Sequence, residues 1–75
     1  MIKNFAVTKH CYNRFEKRFG IKNEIYIRNI IRKAMSEGEN KFHTIKYKEF
    51  ILKYKKRENL YLFLTVIRNE EIKGK

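Results

Sequence analysis

The sequence predicts an α+β fold, with two N-terminal helices packed on one face of a three- to four-stranded antiparallel sheet. Two observations carry this. Up to about residue 37 the apolar residues recur with a helical period, and after residue 40 the period drops to two. No proline, low-complexity tract or internal repeat interrupts the chain, so residues 1–75 read as a single domain. Folding a chain this short buries only about 60–65% of its unfolded surface, so a second copy or another partner is a natural source of extra stability.

The elements follow in order. Residues 2–7, IKNFAV, read as an extended arm or strand. Thr8 suits an N-cap, whose side chain satisfies free amides at a helix start, and the first helix spans 8–19. Gly20 is placed to end it in a left-handed conformation. A second helix, 23–37, opens on Asn23 as cap and on Glu24, which suits the positive end of the helix dipole. Ile27, Ile30, Ile31, Ala34 and Met35 form its buried stripe, and the run Ser36 to Asn40 ends it.

Residues 41–73 read as antiparallel strands. KFHTIKY and FILKYKK are the first two, and an Arg57-Glu58-Asn59 turn leads into LYLFLTVI. In that last strand Leu60, Leu62, Leu64 and Val66 point one way, and Tyr61, Phe63 and Ile67 the other. Two apolar faces mark a central, covered strand. The lysine-rich KYK and LKYKK segments suit an edge, where lysine discourages pairing with other molecules.

Charge narrows the function. Nineteen Lys and Arg against eight acids give a net +11 and a pI near 10, the footprint of a protein that binds polyanions. Nucleic acid, above all RNA or a ribonucleoprotein, leads over a membrane surface. The single cysteine, Cys11, excludes an internal disulfide and falls on an apolar stripe. No apolar run reaches transmembrane length and MIKNFAV lacks the apolar segment of a signal peptide, so a cytoplasmic protein is expected. Every acid is a Glu, none paired at metal-ligand spacing, so neither a metal nor another cofactor is expected.

Two constellations offer chemistry. On the first helix His10, Arg14 and Arg18 recur every fourth residue and drift only about 40° per step, forming one ridge beside that of Cys11, Phe15 and Phe19. Such a ridge suits an ordinary solvated face. It also suits metal-free RNA cleavage, in which a base activates the 2′-hydroxyl, an acid protonates the leaving oxygen and cations hold the phosphate. His10 fits the acid or base, Arg14 and Arg18 fit the phosphate, and His43, on the first strand after the helices, fits the second proton-transfer group. The second constellation is KYKEFILKYKKR: Lys46, Lys48, Lys53, Lys55, Lys56 and Arg57 interleaved with Tyr47, Phe50 and Tyr54. Cations reach phosphates and exposed aromatics stack on unpaired bases, although the same aromatics also suit the core.

The run TKHCYNRFEKRFGI, a helix ending near Gly38 and strands closing on FLTVI resemble small bacterial and phage proteins with a Thr-x-His-Ala-x-x-Arg-x-x-x-Arg-x-Gly type of helix. Many of these are catalogued as a domain of unknown function. That group is similar to the RelE- and BrnT-like ribonuclease toxins. Thr8, His10, Arg14, Arg18, Gly20 and Thr65 match, over about residues 6–67, while Cys11 stands where the group has alanine. The resemblance implies a metal-independent endoribonuclease toxin with an acidic antitoxin as partner. The alternative is a non-catalytic, phage-type inhibitor of a host nucleoprotein, such as an RNA-guided defence complex (an anti-CRISPR). A homodimeric DNA-binding regulator fits less well, because neither helix follows a tight turn as a recognition helix does.

Overall fold

The computed structural model describes residues 4–69. Residues 2 and 3 of the expected arm and 70–73 of the expected strands lie outside them. The order is β1 (Asn4–Val7), α1 (Lys9–Phe19), α2 (Glu24–Glu37), β2 (Glu39–Lys41), β3 (Thr44–Tyr47), β4 (Phe50–Arg57) and β5 (Leu60–Arg68).

Local chemistry sets both helices. The Thr8 hydroxyl accepts the Cys11 amide at 3.1 Å, and Gly20 ends α1 at φ 70°. The Asn23 side chain accepts the Tyr26 amide at 3.0 Å and starts α2. Arg68 adds a clamp at the C-terminus of α1: its guanidinium donates to the Arg18 carbonyl at 2.7 Å and lies 4.7 Å from the centre of the Phe19 ring. A cation there meets the negative end of the helix dipole.

The general α+β architecture holds, but the sheet differs from expectation. It has five strands in the order β1-β5-β4-β3-β2, and it is mixed, because β1 runs parallel to β5 while every other pair is antiparallel. Two changes make up the difference. The arm joins the sheet as β1. The expected first strand is broken by a two-residue turn at Phe42 and His43, both at positive φ (49° and 61°), which folds it into the β2–β3 hairpin.

The lysine-rich segments do not form an edge. Both β3 and β4 are inner strands, and the edges are β1 and β2. The lopsided pattern of β4 has another cause, a covered face and an open one. Phe50, Leu52 and Tyr54 are buried, while Lys53, Lys55 and Arg57 are exposed. With Ile45, Phe63 and Val66 these residues meet Cys11 and Phe15 of α1 and Ile27, Ile30, Ile31 and Ala34 of α2 in one core. Phe15, Phe19 and Phe50 cluster with ring centres 4.7–6.1 Å apart.

The phase expected along β5 also changes. Lys53 pairs with Thr65 but Tyr54 pairs with Phe63, so Leu64 is an extra residue, a β-bulge. The bulge turns Val66 onto the same covered face as Phe63, and Ile67 onto the open face with Leu60 and Leu62. Those open-face aliphatics are half-buried. Among the described residues no helix is long and apolar enough to cross a membrane.

Candidate nucleic-acid interface

The sheet separates the two sequence constellations. α1 and α2 cover one face, so the ridge of α1 looks out on that side of the molecule, and the basic positions of β4 look out on the other.

On α1, His10 and Arg18 are exposed and Arg14 is half-buried. Arg14 Nε donates to His10 Nε2 at 3.2 Å. In this arrangement Nε2 is the accepting nitrogen of the imidazole. His43 is not on a strand as expected. It occupies the left-handed turn between β2 and β3, stacks on Tyr54 with ring centres 5.7 Å apart, and its carbonyl accepts the Tyr54 amide at 3.0 Å. Among the described residues no hydrogen bond or ring contact joins the two histidines. The ridge predicted on α1 is therefore present, and His43 lies in a turn and not on a strand.

The basic segment divides by strand alternation. Lys53, Lys55 and Arg57 project from the helix-free face, and Lys46 of β3 shares it, opposite Ile51. Lys41 of β2, opposite Thr44, adds a further cation, and Glu39, opposite Lys46, an acid. Lys56 points the other way and holds its ammonium 5.5 Å from the centre of the Tyr61 ring. Lys48 lies in the β3–β4 turn at φ 53°, its ammonium 5.4 Å from the Tyr47 ring centre. The interleaved aromatics turn inward: Phe50 and Tyr54 are buried and Tyr47 is half-buried. Tyr54 also donates its hydroxyl to Asn40 at 2.8 Å. The open face thus offers cations and short aliphatics and none of the stacking rings expected of this segment.

Sequence reasoning passed over a third feature. Between α2 and the β3–β4 turn lies a cleft of about 440 Å³ lined by the buried Ile30 and Phe50, by Tyr26 and Tyr47, and by Arg32, Lys33 and Lys48. Tyr26 is 55% exposed. A large aromatic just off the buried stripe of α2 was the available signal. Asn29 and Arg32 also line the cleft, with Arg32 donating to Asn29 at 2.9 Å, and the guanidinium groups of Arg28 and Arg32 each sit 5.8 Å from the centre of the Phe5 ring.

The fold and these surfaces define a small two-layer α+β protein in which, among the described residues, no helix covers the strongly basic face of the sheet. No family profile, curated protein or solved structure matches the chain.

Proposed function

We propose that this protein binds single-stranded RNA through its phosphate backbone, with the strand lying along the helix-free face of the sheet. The observation that carries this reading is the row Lys53, Lys55 and Arg57, at alternate positions of β4 and all exposed. Alternate residues of a strand are about 6.6 Å apart, close to the separation of successive phosphates in an extended single strand. A five-stranded sheet is too broad to enter a groove of a duplex, which admits a helix or a two-stranded ribbon, whereas a flexible strand can lie across it. The α1 motif resembles that of a group similar to RNA-cleaving toxins, which favours RNA over DNA. An acidic protein partner covering the face would compete with RNA for it.

Binding is favoured over cleavage because His43, the expected second proton-transfer group, sits in the β2–β3 turn, stacks on Tyr54 and, among the described residues, shares no hydrogen bond or ring contact with His10. Anisotropy of a fluorescein-labelled oligouridylate, titrated between about 50 and 200 mM salt, tests the reading. Wild type should show a steep salt dependence. Replacing Lys53, Lys55 and Arg57 together by Gln should reduce the slope by about 2, at roughly 0.7 per lost phosphate contact on a single strand. Lys56→Gln, on the covered side, should leave the slope unchanged. Equal slopes for wild type and the triple variant would remove the open face from the proposal. The same RNA, run on a gel after incubation in EDTA, should stay intact, and cleavage that disappears in His10→Ala would restore the catalytic reading.

A further inference from the structure

The cleft between α2 and the β3–β4 turn has the composition of a site for one nucleotide, and nothing on the open face supplies what it offers. Its volume, about 440 Å³, is that of a small-molecule pocket. The floor is apolar, made by Ile30 and Phe50, both buried. Tyr26 and Tyr47 add aromatic rings to the lining, and Arg32, Lys33 and Lys48 add three cations. A flat ring meeting apolar floor and tyrosine faces, with an anion bridging to the lysines, is the chemistry of a nucleobase carrying a phosphate.

Two further observations point the same way. Ile25 (73%) and Tyr26 (55%) are both exposed beside the buried Ile27, Ile30 and Ile31, and of the two Tyr26 lines the cleft. The core therefore does not account for its ring. The Lys48 ammonium lies 5.4 Å from the Tyr47 ring centre, so a cation and a ring of the lining stand side by side.

We infer that this cleft takes an unpaired base and its phosphate from the RNA strand. The inference rests on the RNA-binding reading, and it names how that reading distinguishes single strand from duplex. Lys46 on the open face and Lys48 in the turn that follows β3 mark the route by which a strand would pass from the sheet into the cleft.

The test uses the full chain and three variants: Tyr26→Ala, Lys48→Asn and the open-face triple Gln variant. Tyr26 and Lys48 are exposed, and asparagine tolerates the left-handed turn, so all are expected to fold, which circular dichroism would check. Each protein is titrated against oligouridylate, a matched RNA duplex and free uridine monophosphate. The expected result is that Tyr26→Ala loses about tenfold in affinity for the single strand, as one stacked base is worth, and changes duplex binding less than about twofold. The triple variant should weaken both.

If Tyr26→Ala weakens single strand and duplex equally, or neither, while the triple variant still weakens binding, RNA binding stands and the cleft inference falls. If wild type binds no RNA, the underlying reading fails. The uridine monophosphate arm then decides the cleft by itself. Backbone amide NMR shifts at Tyr26, Lys33 and Lys48 that vanish in Tyr26→Ala would keep it as a free-nucleotide site, and no shifts would overturn it.

Discussion

Gly38 closes α2 at φ −78° and ψ 170°, a conformation open to any residue, yet the position has no room for a side chain. A Cβ there would lie 2.6 Å from the Ala34 carbonyl oxygen and 2.6 Å from Ile45 Cγ2. The same amide donates to that carbonyl at 2.7 Å, so the backbone cannot yield without losing the bond that ends the helix. Gly20 is the converse case, with nothing within 4 Å of a Cβ but φ at 70°. Gly20→Ala should cost about 1 kcal/mol, the left-handed penalty alone, and Gly20→Asn less. Gly38→Ala should cost more, about 2–3 kcal/mol, through overpacking, and asparagine should not rescue it. Urea denaturation of the four variants and wild type would check the order, and equal costs for the two alanine variants would contradict it.

Cys11 makes a second prediction at the same scale. It is fully buried, and burial pushes its thiol from 9.0 up to about 12. The folded state holds the proton more tightly than the unfolded chain does. The contribution of the thiol to stability is therefore intact below about pH 9 and is lost as pH rises towards 12. The stability difference between wild type and Cys11→Ala should shrink over that window, a comparison that cancels the titration of the lysines. A flat difference would mean that the thiol reaches solvent. Iodoacetamide at pH 8 should modify Cys11 only after denaturant is added, because the thiolate is the reactive form.

Among the elements, β5 is the organiser, and Thr8 ties α1 to it. Besides capping the Cys11 amide, the Thr8 hydroxyl faces the Phe63 carbonyl at 3.1 Å and the Leu64 carbonyl at 3.3 Å, at the bulge. The Thr8 amide donates to the Phe63 carbonyl as well, at 3.1 Å. Thr8→Val keeps the shape and that backbone bond but loses both jobs of the hydroxyl, and should cost about 1–2 kcal/mol. Thr8→Ser should recover most of it. Hydrogen exchange would locate the effect: the Cys11 amide and the β5 amides around Leu64 should lose protection together. Loss at Cys11 alone would reduce Thr8 to a simple cap.

That double role shows what could be read beforehand. The capping half was legible because Thr8, Gly20 and Asn23 act on amides a few residues away, within the reach of sequence spacing. The bulge was not, since nothing in LYLFLTVIR distinguishes Leu64 from its neighbours, and one extra residue reverses the phase of Val66 and Ile67. The β2–β3 turn was hidden for a similar reason. Left-handed turn positions usually announce themselves with glycine or asparagine, and here they are filled by Phe42 and His43. The site divides in the same way. Cationic character was visible in Lys53, Lys55 and Arg57, whereas their common face, the inward turn of Tyr54 and the cleft beside Tyr26 depend on which side the helices cover. His43 was misplaced because the turn that holds it was itself invisible.

For the whole molecule, charge and size are commensurate. The chain carries +11 in a body whose principal extents are 38 × 24 × 18 Å. At about 10 mM salt the Debye length is roughly 30 Å, so nearly every cation feels every other, and at about 150 mM it is roughly 8 Å and only neighbours interact. Self-repulsion of this kind destabilises the compact state. The melting temperature of wild type should therefore rise with sodium chloride, and should rise further at low salt when oligouridylate neutralises the open face. The triple Gln variant at Lys53, Lys55 and Arg57 should melt higher than wild type at low salt, converge with it at high salt and gain little from RNA. That combination, more stable alone and less stabilised by RNA, marks cations kept for binding at some expense of stability. Lys56→Gln supplies the contrast, because its ammonium packs on Tyr61 and its loss should lower the melting temperature at every salt concentration. If the triple variant instead melts lower than wild type at low salt, its cations support the sheet itself, and the open face loses its claim to the RNA.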